Sequence, residues 1–92
     1  MSRPVVTAGR HESVAVAAGQ GDEAAFLVLY DRHRSPVFRF ACRVLGSAPR
    51  AEDVTQEVFL TVFRVLHTYA GNSSLLVWIF GITRNKVNRR FR

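Results

Sequence analysis

The chain has little cysteine and no long apolar run, and each shortage argues against a class of protein. Its single cysteine, Cys42, cannot form an internal disulfide, so nothing suggests an oxidising compartment. No apolar run approaches the roughly 18 residues needed to span a bilayer, and the N-terminus has no continuous apolar signal core. The three histidines are scattered, and no Gly-rich phosphate loop or metal-ligand spacing occurs. We therefore expect a cytoplasmic protein without enzymatic activity, metal, cofactor or membrane contact.

Acidic residues are absent from the last seventeen positions, 76–92, where five of the thirteen basic residues lie. Residues 22–75 hold six acidic and six basic residues, so that segment is neutral. Most of the formal net charge of +6 therefore belongs to one terminal segment. A localised cationic stripe of this kind is typical of a nucleic-acid binder.

Apolar residues recur at helical spacing through most of the chain, and no segment alternates with period two for long enough to form a sheet. We predict an all-α fold, a compact bundle of four main helices. The predicted boundaries come from caps and breakers. Asp22 is the first N-cap, Ser35-Pro36 a second start and Gly46 a stop. Pro49 opens the third helix, which runs from Arg50 to about Tyr69, and Ser73 or Ser74 caps the fourth.

The N-terminal residues carry no periodicity as far as residue 11. We expect a flexible tail over residues 1–11 and a helical domain over residues 12–92, with a short helical turn at residues 13–18. The last residues still have a helical pattern where the chain stops, so we expect a fragment of a longer protein.

The third predicted helix has two distinct faces at 100° per residue. Its core face comprises Val54, Val58, Val62, Val65 and Tyr69, widened by Phe59 and Leu66. The opposite face comprises Asp53, Gln56, Glu57, Leu60, Arg64 and His67, with Phe63 at its border. Leu60 is either an isolated surface leucine, which is common, or the apolar anchor of a docking surface for a basic partner helix.

The fourth predicted helix divides in the same way. Its core side comprises Leu76, Ile79, Phe80, Thr83 and Val87; its other side comprises Trp78, Ile82, Asn85, Asn88, Arg89 and Arg92. Asparagine can pair with adenine, and arginine with guanine or phosphate, so this side could read a DNA groove or could simply be a solvated face. Trp78 fits either the core or a stacking platform for an unpaired base. The preceding loop, residues 69–75, is either an ordinary turn or part of a pocket for an extruded base.

Four strings of the sequence occur in an order and spacing that resemble region 2 of bacterial RNA polymerase sigma factors, most closely the extracytoplasmic-function group. They are DEAAF at 22–26, LYDR at 29–32, AEDVTQEVFL at 51–60 and WIFGITRN at 78–85. The resemblance covers about residues 12–92, and the two longer strings together make it specific.

The resemblance implies a role for each outer face. It implies that the third helix binds the basic coiled-coil clamp of the polymerase core β′ subunit through Asp53, Gln56, Glu57, Leu60, Phe63 and Arg64. It implies that the loop and the start of the fourth helix open the −10 promoter element and hold a flipped base, with Asn72, Ser73, Ser74 and Trp78 at those positions. The remaining DNA-binding positions are Arg84 and Lys86 for phosphates and Asn85, Asn88, Arg89 and Arg92 for the duplex edge.

The same resemblance implies an anti-sigma factor as a further partner. The second DNA-binding domain of such factors, region 4, has no counterpart in these residues. Two other interpretations remain open from the residues alone: a small helical protein-interaction module, and a conventional helix-turn-helix regulator that binds duplex DNA as a dimer.

Overall fold

A computed structural model describes the backbone of residues 10–90 and the side chains of residues 14–90. Four α-helices occur in this part of the chain, and no strand does. The helices are α1 (Arg10–Gly19), α2 (Glu23–Leu45), α3 (Ala48–Val65) and α4 (Leu75–Arg90), with a short 3-10 helix (Leu66–Thr68) after α3. The predicted all-α class is confirmed.

Helix α1 is longer than the turn expected at residues 13–18, because it begins at Arg10. Residues 10 and 11 are therefore helical rather than part of a tail, whereas residues 1–9 lie outside the described part of the chain. Two small residues, Ala15 and Ala18, are buried on the inner side of α1. At its end, α1 packs against the 3-10 helix, and a Cβ added to Gly19 would lie 3.4 Å from the Cα of His67, an ordinary contact distance.

Helix α2 is continuous through Pro36, and the break predicted at Ser35-Pro36 is wrong. Proline inside a helix removes one backbone hydrogen bond and crowds the preceding turn, at a cost of about 3 kcal/mol. Five residues at four-residue intervals keep one face of α2 buried on both sides of the proline: Leu29, His33, Val37, Ala41 and Leu45. We infer that burial of this uninterrupted face offsets the proline. The predicted number of four helices is thus right, but the helices are divided differently. The segments predicted before and after Ser35-Pro36 form the single helix α2, and α1 counts as the fourth helix.

Side-chain caps begin three of the four described helices, at Asp22, Ser47 and Ser74. Asp22 accepts a hydrogen bond from the Ala25 amide at 3.0 Å, and Ser74 accepts one from the Val77 amide at 3.2 Å. Gly46 ends α2 in the left-handed conformation, with φ of 68°. The start of α3 is two residues earlier than predicted from Arg50, because Ser47 is its cap. Its end is earlier too, since the α-helix stops at Val65 and a 3-10 turn follows.

The core lies between α2, α3 and α4, with α1 packed on α2 and on the 3-10 helix. Val54, Val58 and Val62 of α3 are fully buried, as the pattern predicted. Val65 and Tyr69 are half-buried rather than core. In α4 the first core residue is Leu75, not Leu76, and the other buried residues are Ile79, Thr83 and Val87.

One ion pair joins the middle of α2 to the N-terminal part of α3. The Arg34 Nη2 lies 2.7 Å from Oε1 and 3.0 Å from Oε2 of Glu52, and the Arg34 Nε donates to the Tyr30 hydroxyl at 3.1 Å. The hydrogen bond to Glu52, followed by that to Tyr30, raises the pKa of the Arg34 guanidinium. Because a raised pKa favours the charged form in the fold, this stabilisation is present at neutral pH and is lost only in the strongly alkaline range.

Candidate functional site

The outer face of α3 is exposed along its whole length. We call it the docking face; its members, all exposed, are Asp53, Gln56, Glu57, Leu60, Phe63 and Arg64. Leu60 is 61% exposed and Phe63 is 50% exposed, although both are large and apolar. They lie on the side of α3 opposite the buried valines, so the helix has a second apolar stripe that faces outward. The structure therefore brings all six predicted residues onto one surface.

Helix α2 extends this surface into a groove that the sequence did not reveal. The groove has a volume of about 410 Å³ and is lined by Phe26, Tyr30, Gln56, Phe59, Leu60 and Phe63. Edge-to-face contacts join the two helices along it, with ring centroids 5.1 Å apart for Phe26 and Phe63 and 5.0 Å apart for Tyr30 and Phe59. Phe26 and Tyr30 had a visible helical spacing, but that spacing does not say which helix they face. Leucine-sized apolar groups of a partner could enter such a groove.

The carboxylates of the docking face differ in their partners. Glu57 Oε2 lies 2.6 Å from Arg90 Nη2 at the end of α4. Asp53 is exposed, and no cation among the described side chains lies within ion-pair distance of it. Asp53 is therefore directly available to a basic partner, whereas Glu57 would have to exchange one cation for another.

The polar surface of α4 is also exposed, as predicted. We call it the basic face; within the described residues Asn85, Asn88 and Arg89 form its centre, flanked by Arg84 on one side and Lys86 on the other, and all except the half-buried Lys86 are exposed. Arg92, which the sequence assigned to the same face, lies outside the described residues. Arg90 was not predicted as a functional residue, and only its contact with Glu57 draws attention to it.

The loop before α4 is held by aromatic contacts. The Tyr69 hydroxyl donates to the Ser73 carbonyl at 2.5 Å, and the rings of Tyr69 and Trp78 lie 5.3 Å apart at an angle of 49°. Trp78 is half-buried and packs against the core. The predicted loop residues are exposed: Asn72, Ser73 and Ser74. The Ser74 hydroxyl, however, already caps α4.

A second groove runs between α3 and α4 beside Trp78. Its volume is about 390 Å³, and its lining residues are Thr61, Trp78, Gly81, Ile82, Asn85 and Lys86. It combines an aromatic ring, an amide and an ammonium group, which are the groups that contact bases and phosphates in nucleic-acid complexes. Ile82 was predicted on the same side of the helix as Trp78 and Asn85. Thr61 was not predicted here, because its place depends on how α3 packs against α4.

The described residues include neither a metal-ligand cluster nor a membrane-spanning helix. No group of three or more histidine, cysteine, aspartate or glutamate side chains within residues 14–90 could hold a metal ion. The Nδ1 of the buried His33 is hydrogen-bonded at 2.8 Å to the Leu29 carbonyl of its own helix. Over residues 10–90, no helix combines the length and the apolarity that a membrane span requires.

Comparison with known proteins identifies one family. The family model described as Sigma-70 region 2 matches residues 29–92. The extracytoplasmic-function (ECF) RNA polymerase sigma factor SigX of Bacillus subtilis is 31% identical over 70 residues, which is 76% of this chain and 36% of that protein. SigW of the same organism is 27% identical over 73 residues, covering 79% of this chain and 39% of SigW. The ECF sigma factor SigL of Mycobacterium tuberculosis is 32% identical over 74 residues, covering 78% of this chain and 42% of SigL. The chain thus matches about two fifths of the length of these relatives.

Proposed function

We propose a function from the family to which this chain belongs, which is the sigma-70 region 2 family in its ECF group. The docking face binds the RNA polymerase core, and the basic face binds the −10 promoter element. Sigma factors are transcription initiation factors rather than enzymes, so we expect the chain to contribute binding and specificity, in the cytoplasm, where the polymerase acts. The observation that carries the proposal is that α3 and α4 each bury one face and leave a second, chemically distinct face exposed.

The docking face suits a basic helix, in particular the coiled-coil clamp of the β′ subunit. Leu60 and Phe63 would supply the desolvated centre of the interface, together with the α2–α3 groove beside them. Asp53 would lie at the rim, where a carboxylate steers a cationic partner more than it adds affinity. Gln56 and Arg64 complete the polar rim. In this arrangement apolar burial supplies most of the affinity, and charge selects the partner.

Different residues of the basic face would bind the phosphates and the bases of the DNA. Arg84 and Lys86 would neutralise phosphates, which gives affinity that is independent of sequence and sensitive to salt. Asn85 and Asn88 would contact base edges, since a side-chain amide matches the donor and acceptor of adenine. Arg89, and Arg92 beyond the described residues, would extend the contact along the duplex edge. The exposure of Asn85 and Asn88 supports this assignment.

Opening of the promoter would require a site for an unstacked base. Unstacking costs a few kcal/mol, which contacts to the extruded base must offset. Asn72, Ser73 and Ser74 would line one side of that site, and the exposed part of Trp78 would offer a ring for stacking. Trp78 contacts Tyr69 at the start of the loop, and the groove beside Trp78 leads to Asn85, so a single strand could pass from the loop to the basic face.

A protein that covered either face would prevent initiation, and we propose an anti-sigma factor as such a partner. The decisive experiment for the function itself has two parts. The chain should co-purify with core polymerase, and the complex should then enrich one sequence from a randomised pool of single-stranded oligonucleotides. The enriched sequence should compete better than its scrambled version at physiological salt. Absence of co-purification, or equal competition by the two oligonucleotides, would contradict the proposal.

A further inference from the structure

One ion pair connects the two proposed interfaces. Glu57 belongs to the docking face, one turn from both Asp53 and Leu60, and Arg90 borders the basic face, one turn after Lys86. Their side chains meet at 2.6 Å although they are 33 positions apart in the chain. A member of the docking face is thus held by a cation that borders the basic face.

The contact is not needed to hold α4 in place. Both side chains are partly exposed, 46% for Glu57 and 29% for Arg90, and exposed ion pairs contribute little to folding stability. Helix α4 is anchored instead by four buried residues, Leu75, Ile79, Thr83 and Val87. The pair can therefore open without loss of the fold, and either partner can be replaced by a charge from outside.

Arg90 has a second position within reach of its helix. It lies one turn after Lys86, and residues four apart share one side of a helix. Lys86 lines the groove beside Trp78 together with Asn85. A guanidinium released from Glu57 would therefore extend the cationic side of that groove by one turn, where the backbone of bound DNA is proposed to run.

We propose that Arg90 is a DNA-phosphate ligand that Glu57 holds in reserve, so that binding of polymerase and binding of DNA favour each other. This inference rests on the proposed function. When a cation of the polymerase contacts Glu57, Arg90 is displaced and becomes free for a phosphate. When a phosphate binds Arg90 first, Glu57 becomes free for the polymerase. By linkage, the two effects have the same magnitude.

The test measures binding of the 92-residue chain to a mixed-sequence DNA duplex, because phosphate contacts do not depend on sequence. Fluorescence anisotropy is recorded over a range of salt concentrations for the wild type, Glu57→Gln, Arg90→Gln and the double variant. Glu57→Gln should bind about 2- to 5-fold more tightly, the range expected for release of one exposed ion pair. For this variant, the plot of the logarithm of the DNA association constant against the logarithm of the salt concentration should also become steeper by up to about 0.9, as expected for one added phosphate contact.

The other variants separate this mechanism from a general charge effect. Asp53→Asn makes the same change of charge one turn away on α3, with no contact to Arg90, and should leave the salt dependence unchanged. Arg90→Gln should abolish the gain in the Glu57→Gln background. If Asp53→Asn reproduces the gain, or if the double variant keeps it, the proposal is wrong. Thermal unfolding of each variant confirms that the fold is intact.

A second measurement approaches the pair from the polymerase side. Arg90→Gln should bind purified core polymerase more tightly, by the same factor as Glu57→Gln gains on DNA, because Glu57 is then unpaired. An unchanged or weaker affinity would overturn the coupling while leaving core binding itself established. Failure of the wild-type chain to bind both core and DNA would instead reject the proposed function.

Discussion

Replacing Leu60 by alanine is the most direct probe of the docking face, since the side chain is large, apolar and 61% exposed. Most of it is already in water, so its truncation should lower the free energy of unfolding by less than about 1 kcal/mol. Burial of a whole leucine side chain contributes about 1.5–3 kcal/mol, and the exposed share of that is about 1–2 kcal/mol. The dissociation constant for core polymerase should therefore rise about 5- to 30-fold.

The assay is a titration of fluorescently labelled chain with purified core polymerase, with thermal unfolding measured in parallel. Val16→Ala is the matched control, because Val16 is 59% exposed but lies on α1, away from the docking face. It should bind polymerase as the wild type does. Equal affinities for Leu60→Ala and Val16→Ala, with both folds intact, would refute the reasoning that exposed apolar area on α3 supplies the affinity.

Three further predictions address the fold and the basic face. Ile79→Ala removes a fully buried side chain and should lower the free energy of unfolding, measured in urea, by about 2–5 kcal/mol. Val77→Ala, at a residue 59% exposed on the same helix, should change it by no more than about 0.5 kcal/mol. Asp22→Ala removes the cap of α2 and should cost about 0.5–2 kcal/mol in the same experiment, while Asp22→Asn, which still accepts the hydrogen bond, should cost little. In anisotropy titrations, Asn85→Ala should lose about 1–3 kcal/mol of binding free energy only on the preferred promoter sequence. Lys86→Ala should weaken binding to all sequences and lower the dependence of log affinity on log salt by about 1, and the reverse pattern would contradict the assigned roles.

The division of α3 and α4 into faces was predictable because it depends on local geometry. A period of 3.6 residues sets the direction of each side chain from its position in the helix alone. The exposure of Leu60 and Asn85 and the burial of Val58 therefore follow from the pattern, and the structure confirms them. The caps at Asp22 and Ser74 were visible for the same reason, since a cap acts within three residues of its own position.

The continuity of α2 could not be read from its residues. Proline has a strong local preference for the start of a helix, and Ser35-Pro36 matches that preference. The deciding factor is a buried face that continues past Pro36, from His33 to Val37 and Ala41. Its contribution is tertiary, because it exists only where other helices cover those residues.

The sequence alone thus determined the helical class, the family and the outward faces of α3 and α4, because these depend on spacing within single segments. The tertiary structure decided which faces lie side by side. It placed Phe26 next to Phe63 to form a groove, and Arg90 next to Glu57 to join the two interfaces. Such contacts join residues far apart in the chain, and they depend on how the helices cross in the packed core rather than on the period of any one of them.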